Sequence, residues 1–479
     1  MEILYLSHFF IISTNKMPIA KIESLDNNAR GICHNEDGKT IFIDDALPNE
    51  IVEYAKFKDK KKYELAHLIK VIKPAAARVE PKCKYFGICG GCAMQHIEMT
   101  SQVAVKQRVL EDNLWHIGKV KAQTMLPPIV GSAWNYRHKA RLSVRNVPKK
   151  GGVLIGFHER KSSYIADMQT CEILPKAISD LLMPLRSLIA SLTLAEKIPQ
   201  IEISVGEFVI ALVLRILEPL SDNDKTLLKI FADNYNENNA NANSNANANA
   251  KQKLAFYLQE KGPDSVYLFY PQNENQKTLS YLLPEFNLEM QFQPTDFTQV
   301  NHQINKVMIR QALSFLQANQ NDIIADFFCG LGNFTLPIAK QKARVFGVEG
   351  NAELVKRAND DAKNNNLQDL AKFKVANLFK FDLPELEKLI AENDGKIFNK
   401  WLIDPPREGA VELIKALPDE FSEIKPKLIV YVSCNPATLA RDAGILVHLK
   451  NYELRFAGII NMFPHTAHVE SMAVFALKE

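Results

Sequence analysis

The chain has 479 residues, of which 47% are hydrophobic and 24% are charged. This ordinary globular composition excludes a wholly disordered chain, a collagen and a membrane-spanning bundle, and the length predicts about three domains. The formal net charge is only +3, and seven cysteines are too few for a secreted disulfide scaffold.

The first 16 residues contain a short apolar stretch that lacks the features of an export signal. No basic residue precedes the apolar run 3–13, and no small-residue cleavage site follows it. We interpret residues 1–16 as an extension in front of a true start at Met17. Without an export signal we expect a cytoplasmic protein, whose cysteines are reduced, metal-bound or catalytic.

Residues 17–81 have the pattern of a small five-stranded β-barrel of the kind that binds oligonucleotides. Strand-like segments lie at 20–22, 40–43 and 51–54, with turn signals between them. Residues 55–82 carry nine Lys and Arg against three acids, a net charge of +6. Such a run is either a solvated face or a patch that contacts phosphates.

Residues 82–293 are predicted to form a central domain of antiparallel strands with one or two helices. Helical periodicity begins at residue 101, and we expect a helix in the segment 101–129 to pack on the domain that follows. The segment 234–250 is rich in Asn and Ala and offers no apolar residues for a core. It is predicted to be a disordered insert without chemistry.

The start of the central domain is strongly basic. Residues 101–160 hold eleven Lys and Arg against three acids, a net charge of +8. On a strand, Arg137, Lys139 and Arg141 would share one face. That face fits an RNA backbone about as well as it fits an ordinary exposed strand.

From residue 294 onward, strands and helices alternate, which predicts a doubly wound, mostly parallel sheet. The whole chain is therefore expected to combine an α/β domain with all-β structure. The predicted strands are 323–328, 343–349, 372–375, 400–404, 428–433, 452–461 and 470–477, and the predicted helices are 334–341, 352–365, 384–392, 410–417 and 437–446.

Three motifs follow predicted strands at the edge where such sheets bind ligands. The glycines of 329–332 let the backbone approach a ligand closely, although a full GxGxxG is absent. Glu349 follows Gly330 by 19 residues and can accept the hydroxyls of a ribose. Residues 404–407, Asp-Pro-Pro-Arg, form a stiff turn. Together the motifs favour S-adenosylmethionine over NAD, and both over a domain without a ligand.

Cys434 lies where the strand 428–433 gives way to a helix that begins near Pro436. A helix N-terminus favours a thiolate, which predicts a nucleophile. The alternative is a small buried hydrophobic residue, the commoner role of a single cysteine.

Two histidines and a glutamate, His465, His468 and Glu470, precede or begin the last strand and are candidate proton carriers. One cysteine, one base and one methyl donor are the requirements for methylating uracil at C5. A thiolate that adds to C6 makes C5 nucleophilic, and a base then removes the C5 proton so that the thiol is eliminated.

Five motifs carry a resemblance to a known family. They are FTQVN at 297–301, DFFCGLGNF at 326–334, DPPR at 404–407, SCNPAT at 433–438 and HVE at 468–470. Together they resemble the RNA uracil-C5 methyltransferases, and the chain is most similar to members that act on 23S rRNA. The resemblance covers nearly everything from Met17 onward.

The resemblance implies a domain order and a set of site residues. It implies a TRAM RNA-binding barrel at 17–81, an iron–sulfur domain at 82–293 and a Rossmann-like methyltransferase domain at 294–479. It implies that Cys434 is the nucleophile and Glu470 the general base. The implied S-adenosylmethionine-binding residues are Gln299, Phe328, Asn333, Glu349, Asn377 and Asp404.

Four further cysteines have the spacing of a metal site: Cys83, Cys89, Cys92 and Cys171. Spacing alone is equally compatible with zinc and with an iron–sulfur cluster. The resemblance implies a [4Fe–4S] cluster, which we expect to be structural because methyl transfer contains no redox step. Two cysteines, Cys33 and Cys329, have no assigned chemistry.

Two alternatives stay open at this point. One is a non-catalytic iron–sulfur protein that binds RNA during ribosome assembly, and the other is the same chemistry on tRNA. Because the RNA substrate is large and asymmetric, we expect a monomer, and we expect no association with a membrane.

Overall fold

A computed structural model describes residues 17–241, 252–272, 278–420 and 422–478. The extension 1–16 and most of the Asn/Ala-rich segment lie outside these residues. The described chain forms two compact units, one made of 17–80 and 96–98 and the other made of 81–95 and the described residues from 99 onward. Among the described helices, none has the length and apolar character needed to cross a bilayer.

The first unit is a six-stranded sheet, with one strand more than predicted. Its strands are β1 (Ile19–Lys21), β2 (Ser24–Leu25), β3 (Gly31–His34), β4 (Thr40–Asp44), β5 (Ile51–Asp59) and β6 (Tyr63–Lys73). They are ordered β1-β5-β6-β4-β3-β2. Because β1 and β2 are consecutive in the chain, one short stretch joins both edges of the sheet. Ile22, between them, and Ile41, Ile43 and Val52 are fully buried in its core.

The first helix of the second unit is shorter than the predicted segment. Helix α1 (Met99–Asn113) ends in a π-helical turn at Leu114–Gly118, and an extended stretch with β7 (Thr124–Met125) follows.

The central region contains a six-stranded sheet, a small hairpin and two helices. The elements are β8 (Lys139–Val147), β9 (Gly152–Gly156), α2 (Lys176–Ser191), β10 (Gln200–Val205), β11 (Val209–Arg215), α3 (Asp222–Asn241), β12 (Lys253–Gln259), β13 (Val266–Tyr270), β14 (Ser280–Leu283) and β15 (Leu288–Gln291). The order of the large sheet is β13-β12-β11-β10-β8-β9. Strands β11 and β12 pair in parallel, contrary to the antiparallel prediction, because α3 provides the crossover between them.

Part of the segment predicted to be disordered is helical. Helix α3 extends to Asn241, and Tyr235 in its last turns packs against the core of the central region. Asn236 accepts a hydrogen bond from the Leu254 amide at 2.8 Å, which fastens the helix to β12. The prediction was therefore wrong for residues 234–241, because the low-complexity sequence hides one aromatic anchor.

The C-terminal region, from residue 302 to 478, follows the predicted alternation closely from residue 323 onward. Its elements are α4 (His302–Leu316), β16 (Ile323–Phe327), α5 (Thr335–Lys340), β17 (Arg344–Glu349), α6 (Ala352–Asn364), β18 (Ala371–Val375), α7 (Leu383–Glu392), β19 (Lys400–Ile403), α8 (Val411–Lys415), β20 (Leu428–Ser433), α9 (Pro436–His448), β21 (Tyr452–Ile460) and β22 (Glu470–Leu477). The sheet order is β18-β17-β16-β19-β20-β22-β21-β7.

Alternation along the strands gives this sheet an apolar core on each face. Trp401 and Ile403 of β19 contribute to one core, whereas Leu402 contributes to the other. Strands β16 to β20 are parallel and β22 is antiparallel to β20. The carboxyl ends of the parallel strands and the amino end of β22 therefore meet at one edge, which is the candidate site.

Candidate functional site

A tight loop follows β16 at this edge. Phe328, Gly330 and Gly332 all have positive φ, at 63°, 54° and 86°. The amides of Phe328 and Cys329 both donate to the carbonyl of Val348 in the next strand, at 2.9 and 3.2 Å. A Cβ at Gly330 would meet open space, so the loop presents bare backbone to a ligand.

The Glu349 carboxylate, at the end of β17, is held in place by backbone donors. Its Oε2 accepts from the Gly330 amide at 3.1 Å and its Oε1 from the Asn351 amide at 2.9 Å. Both oxygens retain lone pairs for further donors. The arrangement fits the pair of ribose hydroxyls that the sequence predicted for this residue.

Asn333 is fixed by a network that the sequence analysis missed. It exchanges two hydrogen bonds with Asn305 of α4, each 2.9 Å long, and accepts a third from the Tyr281 hydroxyl at 2.9 Å. Helix α4 was also missed. Its signal is the N-cap Asn301 followed by apolar residues at helical spacing from Ile304 to Leu316.

The remaining residues predicted to bind S-adenosylmethionine lie on loops around the same edge of the sheet. Phe328 packs against Phe379 with ring centroids 5.7 Å apart. Asn377, two residues after the end of β18, caps a short 3-10 turn by accepting from the Phe379 amide at 3.1 Å. Gln299 is buried in the loop that precedes α4.

Sheet register brings Cys434 and Glu470 together. Ser433 and Ser471 are paired across β20 and β22, so Cys434 and Glu470 are the next two residues along the neighbouring strands. The carboxyls of Glu470 and of Asp404, which follows β19, both act electrostatically on Cys434, and Asp404 also acts on Glu470. Three acidic groups from three strands thus lie at one point of the edge.

The expectation of a thiolate at Cys434 was wrong for the free protein. Burial, with the nearby Glu470 and Asp404 carboxyls, raises the pKa of the Cys434 thiol to about 12, although Arg407 opposes the shift. Burial also raises the pKa of Asp404 to about 7 and that of Glu470 well above its usual value. Repulsion and desolvation outweigh the field of helix α9.

The turn that contains Asp404 is bound to the start of α9. The Asn435 side-chain amide and the Thr438 hydroxyl both donate to the Arg407 carbonyl, at 2.9 and 3.2 Å. The nucleophile candidate and the acidic turn therefore hold a fixed relative position.

Comparison with known proteins supplies the family. A family model described as tRNA (Uracil-5-)-methyltransferase matches residues 282–478. The 23S rRNA (uracil(1939)-C(5))-methyltransferase RlmD of Dechloromonas aromatica is 57% identical over 461 residues, covering 96% of this chain and all of the relative. RlmD of Nitrosospira multiformis is 54% identical, covering 95% of this chain and 97% of the relative.

The chain belongs to the RlmD family of 23S rRNA uracil-C5 methyltransferases. Among solved structures, the tRNA (uracil-54, C5)-methyltransferase of Pyrococcus abyssi, in complex with S-adenosyl-L-homocysteine, matches with a TM-score of 0.68 at 21% identity. The match covers 96% of this chain and 100% of that one. This likeness identifies an S-adenosylmethionine-dependent methyltransferase fold.

In this chain of the RlmD family, His465, a predicted proton carrier, lies buried near the candidate site. Burial and the nearby Lys106 lower its pKa to about 4, so the ring is neutral at physiological pH. The ring stacks on Trp134 with centroids 4.0 Å apart. Burial, followed by Arg407 and other cations, also lowers the pKa of His468. His465 therefore packs as a neutral ring, and proton transfer by either histidine stays a prediction.

The four cysteines predicted to form a metal site line one cavity: Cys83, Cys89, Cys92 and Cys171. The Gly91 amide donates to the Cys89 sulfur at 3.4 Å. Within the described residues, no group of three or more His, Cys, Asp or Glu side chains is arranged to hold a single metal ion. Cys33 lies in β3 of the first unit, and Cys329 is buried in the loop after β16.

The predicted basic face is only partly available to RNA. The Lys139 ammonium donates to the Asp296 carbonyl and lies 3.7 Å from Glu202, and burial lowers its pKa. Arg141 is exposed and bonds Glu202 at 3.2 Å. Arg137 packs over the Phe157 ring. The structure therefore corrects the expectation for Lys139, which is a half-buried cation paired within the protein.

Proposed function

We propose that this protein transfers a methyl group from S-adenosylmethionine to C5 of a specific uridine in 23S rRNA. The observation that carries the proposal is the juxtaposition of Cys434 and Glu470 across β20 and β22, next to the loop after β16. RlmD relatives with more than half of their residues identical to this chain act, by name, at uracil 1939 of 23S rRNA.

The proposed donor site consists of Gln299, Phe328, Asn333, Glu349, Asn377 and Asp404. The anchored carboxylate of Glu349 fits a ribose, and the aromatic surface of Phe328 and Phe379 fits an adenine. Bound S-adenosylmethionine supplies the methyl group on a positively charged sulfonium. A positive charge at this edge would lower the raised pKa values of Asp404, Cys434 and Glu470.

In the proposed mechanism, Cys434 and Glu470 perform successive steps. Cys434, after loss of its thiol proton to water, forms a bond from sulfur to C6 of uracil as the electrons of the C5–C6 double bond move toward C5. C5 then forms a bond to the methyl group, whose bond to the sulfonium sulfur breaks and leaves neutral S-adenosylhomocysteine. Glu470, as carboxylate, then removes the C5 proton. The electrons of that C–H bond restore the C5–C6 double bond as the C6–S bond breaks and releases Cys434.

We propose that the cysteine cavity holds a [4Fe–4S] cluster and not a zinc ion. A zinc ion needs four sulfurs at about 2.3 Å from one point, whereas these four thiols surround a cavity without such a convergence. Amide donation to the Cys89 sulfur is typical of cluster ligands. We propose that Cys83, Cys89, Cys92 and Cys171 hold the cluster and that it has a structural role.

We propose that the first unit is a TRAM-type RNA-binding barrel. Its β5–β6 hairpin exposes Phe57 and Tyr63 among lysines at 58, 60, 61 and 62. Aromatic rings combined with positive charge are typical of surfaces that bind single-stranded RNA. A ribosomal RNA substrate places the reaction in the cytoplasm, and we propose that the protein acts as a monomer.

The experiment is tritium transfer from labelled S-adenosylmethionine to 23S rRNA from a strain that lacks the modification. Wild-type protein is expected to label the rRNA and not tRNA, and Cys434→Ala to abolish labelling while RNA binding persists. Cys33→Ala, in the other unit, is the matched control and keeps activity. A Cys434→Ala protein that still methylates would overturn the mechanism, labelling of tRNA alone would change the substrate, and no labelling would favour an assembly factor.

A further inference from the structure

The loop between β21 and β22 leads directly into the proposed base. Ile460 and Glu470 are the last pair of the two strands, so the loop consists of residues 461–469. Val469, the last residue of this loop, is bonded directly to Glu470. A shift of the end of the loop therefore moves the first residue of β22. We call residues 461–469 the base loop.

The base loop is both long and buried. Hairpin connections usually span about 2–5 residues and run over the surface. Here the residues at 461, 462, 464, 465, 466 and 469 are buried. A buried loop of this length keeps a single conformation only if its backbone groups find partners elsewhere in the protein.

Side chains from three other segments provide those partners. The Met462 carbonyl accepts from the Asn301 side chain at 3.3 Å. The Phe463 carbonyl accepts from the Lys106 ammonium at 2.8 Å, and the Pro464 carbonyl accepts from the Tyr136 hydroxyl at 2.8 Å. Three successive carbonyls are thus bound from outside the loop.

The peptide groups of His465 are held from both sides. The carbonyl accepts from the amides of Ala93 and Met94, at 2.8 and 3.0 Å. The amide donates to Gln102 Oε1 at 2.9 Å, and the Gln102 side-chain nitrogen lies 3.2 Å from the imidazole Nδ1. Gln102 is fully buried in α1. The oxygen of the Gln102 side chain therefore contacts the backbone of His465, and its nitrogen contacts the His465 ring.

His465 needs this support because its φ is +64°. A residue with a side chain rarely adopts such a conformation, which persists where the surroundings over-determine it. Ala93 and Met94 directly follow Cys92, so one wall of the cysteine cavity is also one side of this support.

We propose that Gln102 is a positioning residue for Glu470, which it holds in place through the His465 peptide together with the chain after Cys92. The inference rests on the proposed function, because it concerns the step in which Glu470 removes the C5 proton. Loss of the Gln102 acceptor removes one of the supports of the base loop and displaces the Glu470 carboxylate. The step that suffers is removal of the C5 proton, after the Cys434 adduct has formed.

The test is a single-turnover reaction with 23S rRNA, quenched in denaturant at successive times. Gln102→Leu is expected to form the covalent RNA–protein adduct at the wild-type rate and to release methylated product roughly 10-fold to 100-fold more slowly, so that adduct accumulates. Gln102→Glu keeps an oxygen acceptor for the His465 amide and is expected to restore most of the product rate. Iron content and RNA affinity stay at wild-type values in both.

Gln107→Leu is the matched control, because Gln107 lies on the same helix and its side-chain nitrogen bonds only Glu111 of that helix among the partners described. It is expected to behave as wild type. If Gln102→Leu does not fold, Tyr136→Phe is the second variant, because it removes one hydroxyl donor to the base loop. It is expected to accumulate the covalent adduct as well, but to a smaller extent.

The inference is overturned if Gln102→Leu matches Gln107→Leu, or if adduct formation and product release fall by the same factor. It is also overturned if Gln102→Glu is as slow as Gln102→Leu. These outcomes differ from failure of the proposed function itself, in which wild-type protein would form neither adduct nor methylated 23S rRNA.

Discussion

Two buried glutamates, one in each unit, differ in how the cost of removing a carboxylate from water is met. Glu50 is fully buried in the first unit, and its carboxylate accepts from the amides of Leu47 and Ala75 and from the Arg78 guanidinium. Although burial alone would raise the pKa of Glu50, Arg78 and the amides hold it below its usual value.

Glu470 is 3% exposed, and its strongest charged influence is another carboxyl, Asp404. Burial and that repulsion raise the pKa of Glu470 well above its usual value. A compensated carboxylate stabilises its fold, whereas an uncompensated one costs stability and retains the capacity to exchange a proton. From this comparison we expect Glu50 to stabilise the fold and Glu470 to exchange a proton during the reaction.

The largest expected effect comes from Glu470→Gln. The variant keeps the shape of the side chain but cannot accept the C5 proton, so we expect methylated product to fall by about 10²–10⁴-fold and covalent RNA–protein adduct to accumulate. A denaturing gel measures the adduct as a shifted band. Because the variant removes an uncompensated acid, its unfolding midpoint in urea is not expected to decrease. A variant without adduct would count against Glu470 as the base.

Glu50→Gln should give the reverse pattern. It leaves the partly buried Arg78 guanidinium without its counter-charge, and we expect the free energy of unfolding of the first unit to fall by about 3 kcal/mol. Hydrogen exchange of the β5 and β6 amides in the full-length protein measures this loss. Single-turnover adduct formation in the folded protein is expected to stay unchanged, and a slower adduct step would blur the distinction between the two glutamates.

A smaller effect is expected from Asp404→Asn, measured by urea unfolding at pH 5 and pH 8. Folding raises the pKa of Asp404 from 3.8 to about 7. Between these values only the folded chain holds the proton, so the stability of the wild type falls as the pH rises through this window. The variant lacks this loss. Its free energy of unfolding relative to that of the wild type should therefore be about 1–3 kcal/mol higher at pH 8 than at pH 5.

Glu50→Gln is the matched control for this pH effect. The pKa of Glu50 is lowered, so its stabilising contribution is complete above about pH 4.5 and is lost only as the pH falls below that value. Its stability difference from wild type should therefore be the same at pH 5 and pH 8. An Asp404→Asn difference that is also constant would contradict the raised pKa.

Local sequence signals were sufficient for most of the C-terminal region. The predicted strands at 323–328 and 428–433 differ by at most one residue from β16 and β20, since buried parallel strands are continuous apolar runs with clear breaks. Glu349, Asp404 and Cys434 could be placed at one edge because strand ends in such a sheet converge.

Local signals failed where distant segments decide the structure. Helix α3 extends through a low-complexity stretch because Tyr235 finds an apolar surface in the central region. Lys139, predicted on a basic face, is drawn inward by Asp296 and Glu202. The direction of the Cys434 pKa shift was predicted from one helix end, whereas burial, together with Glu470 and Asp404 from other parts of the sheet, reverses that direction.

The sequence by itself determined the alternation of strands and helices from Ile323 onward, the motifs at the strand ends and the family. These depend on spacing along the chain, which the sequence contains directly. Only the tertiary structure decided that the peptide of His465 lies between Gln102 and the chain after Cys92, and that Glu50 is compensated while Glu470 is not. Hydrogen bonds and charge pairs depend on distance in space, and residues 363 positions apart can be neighbours there.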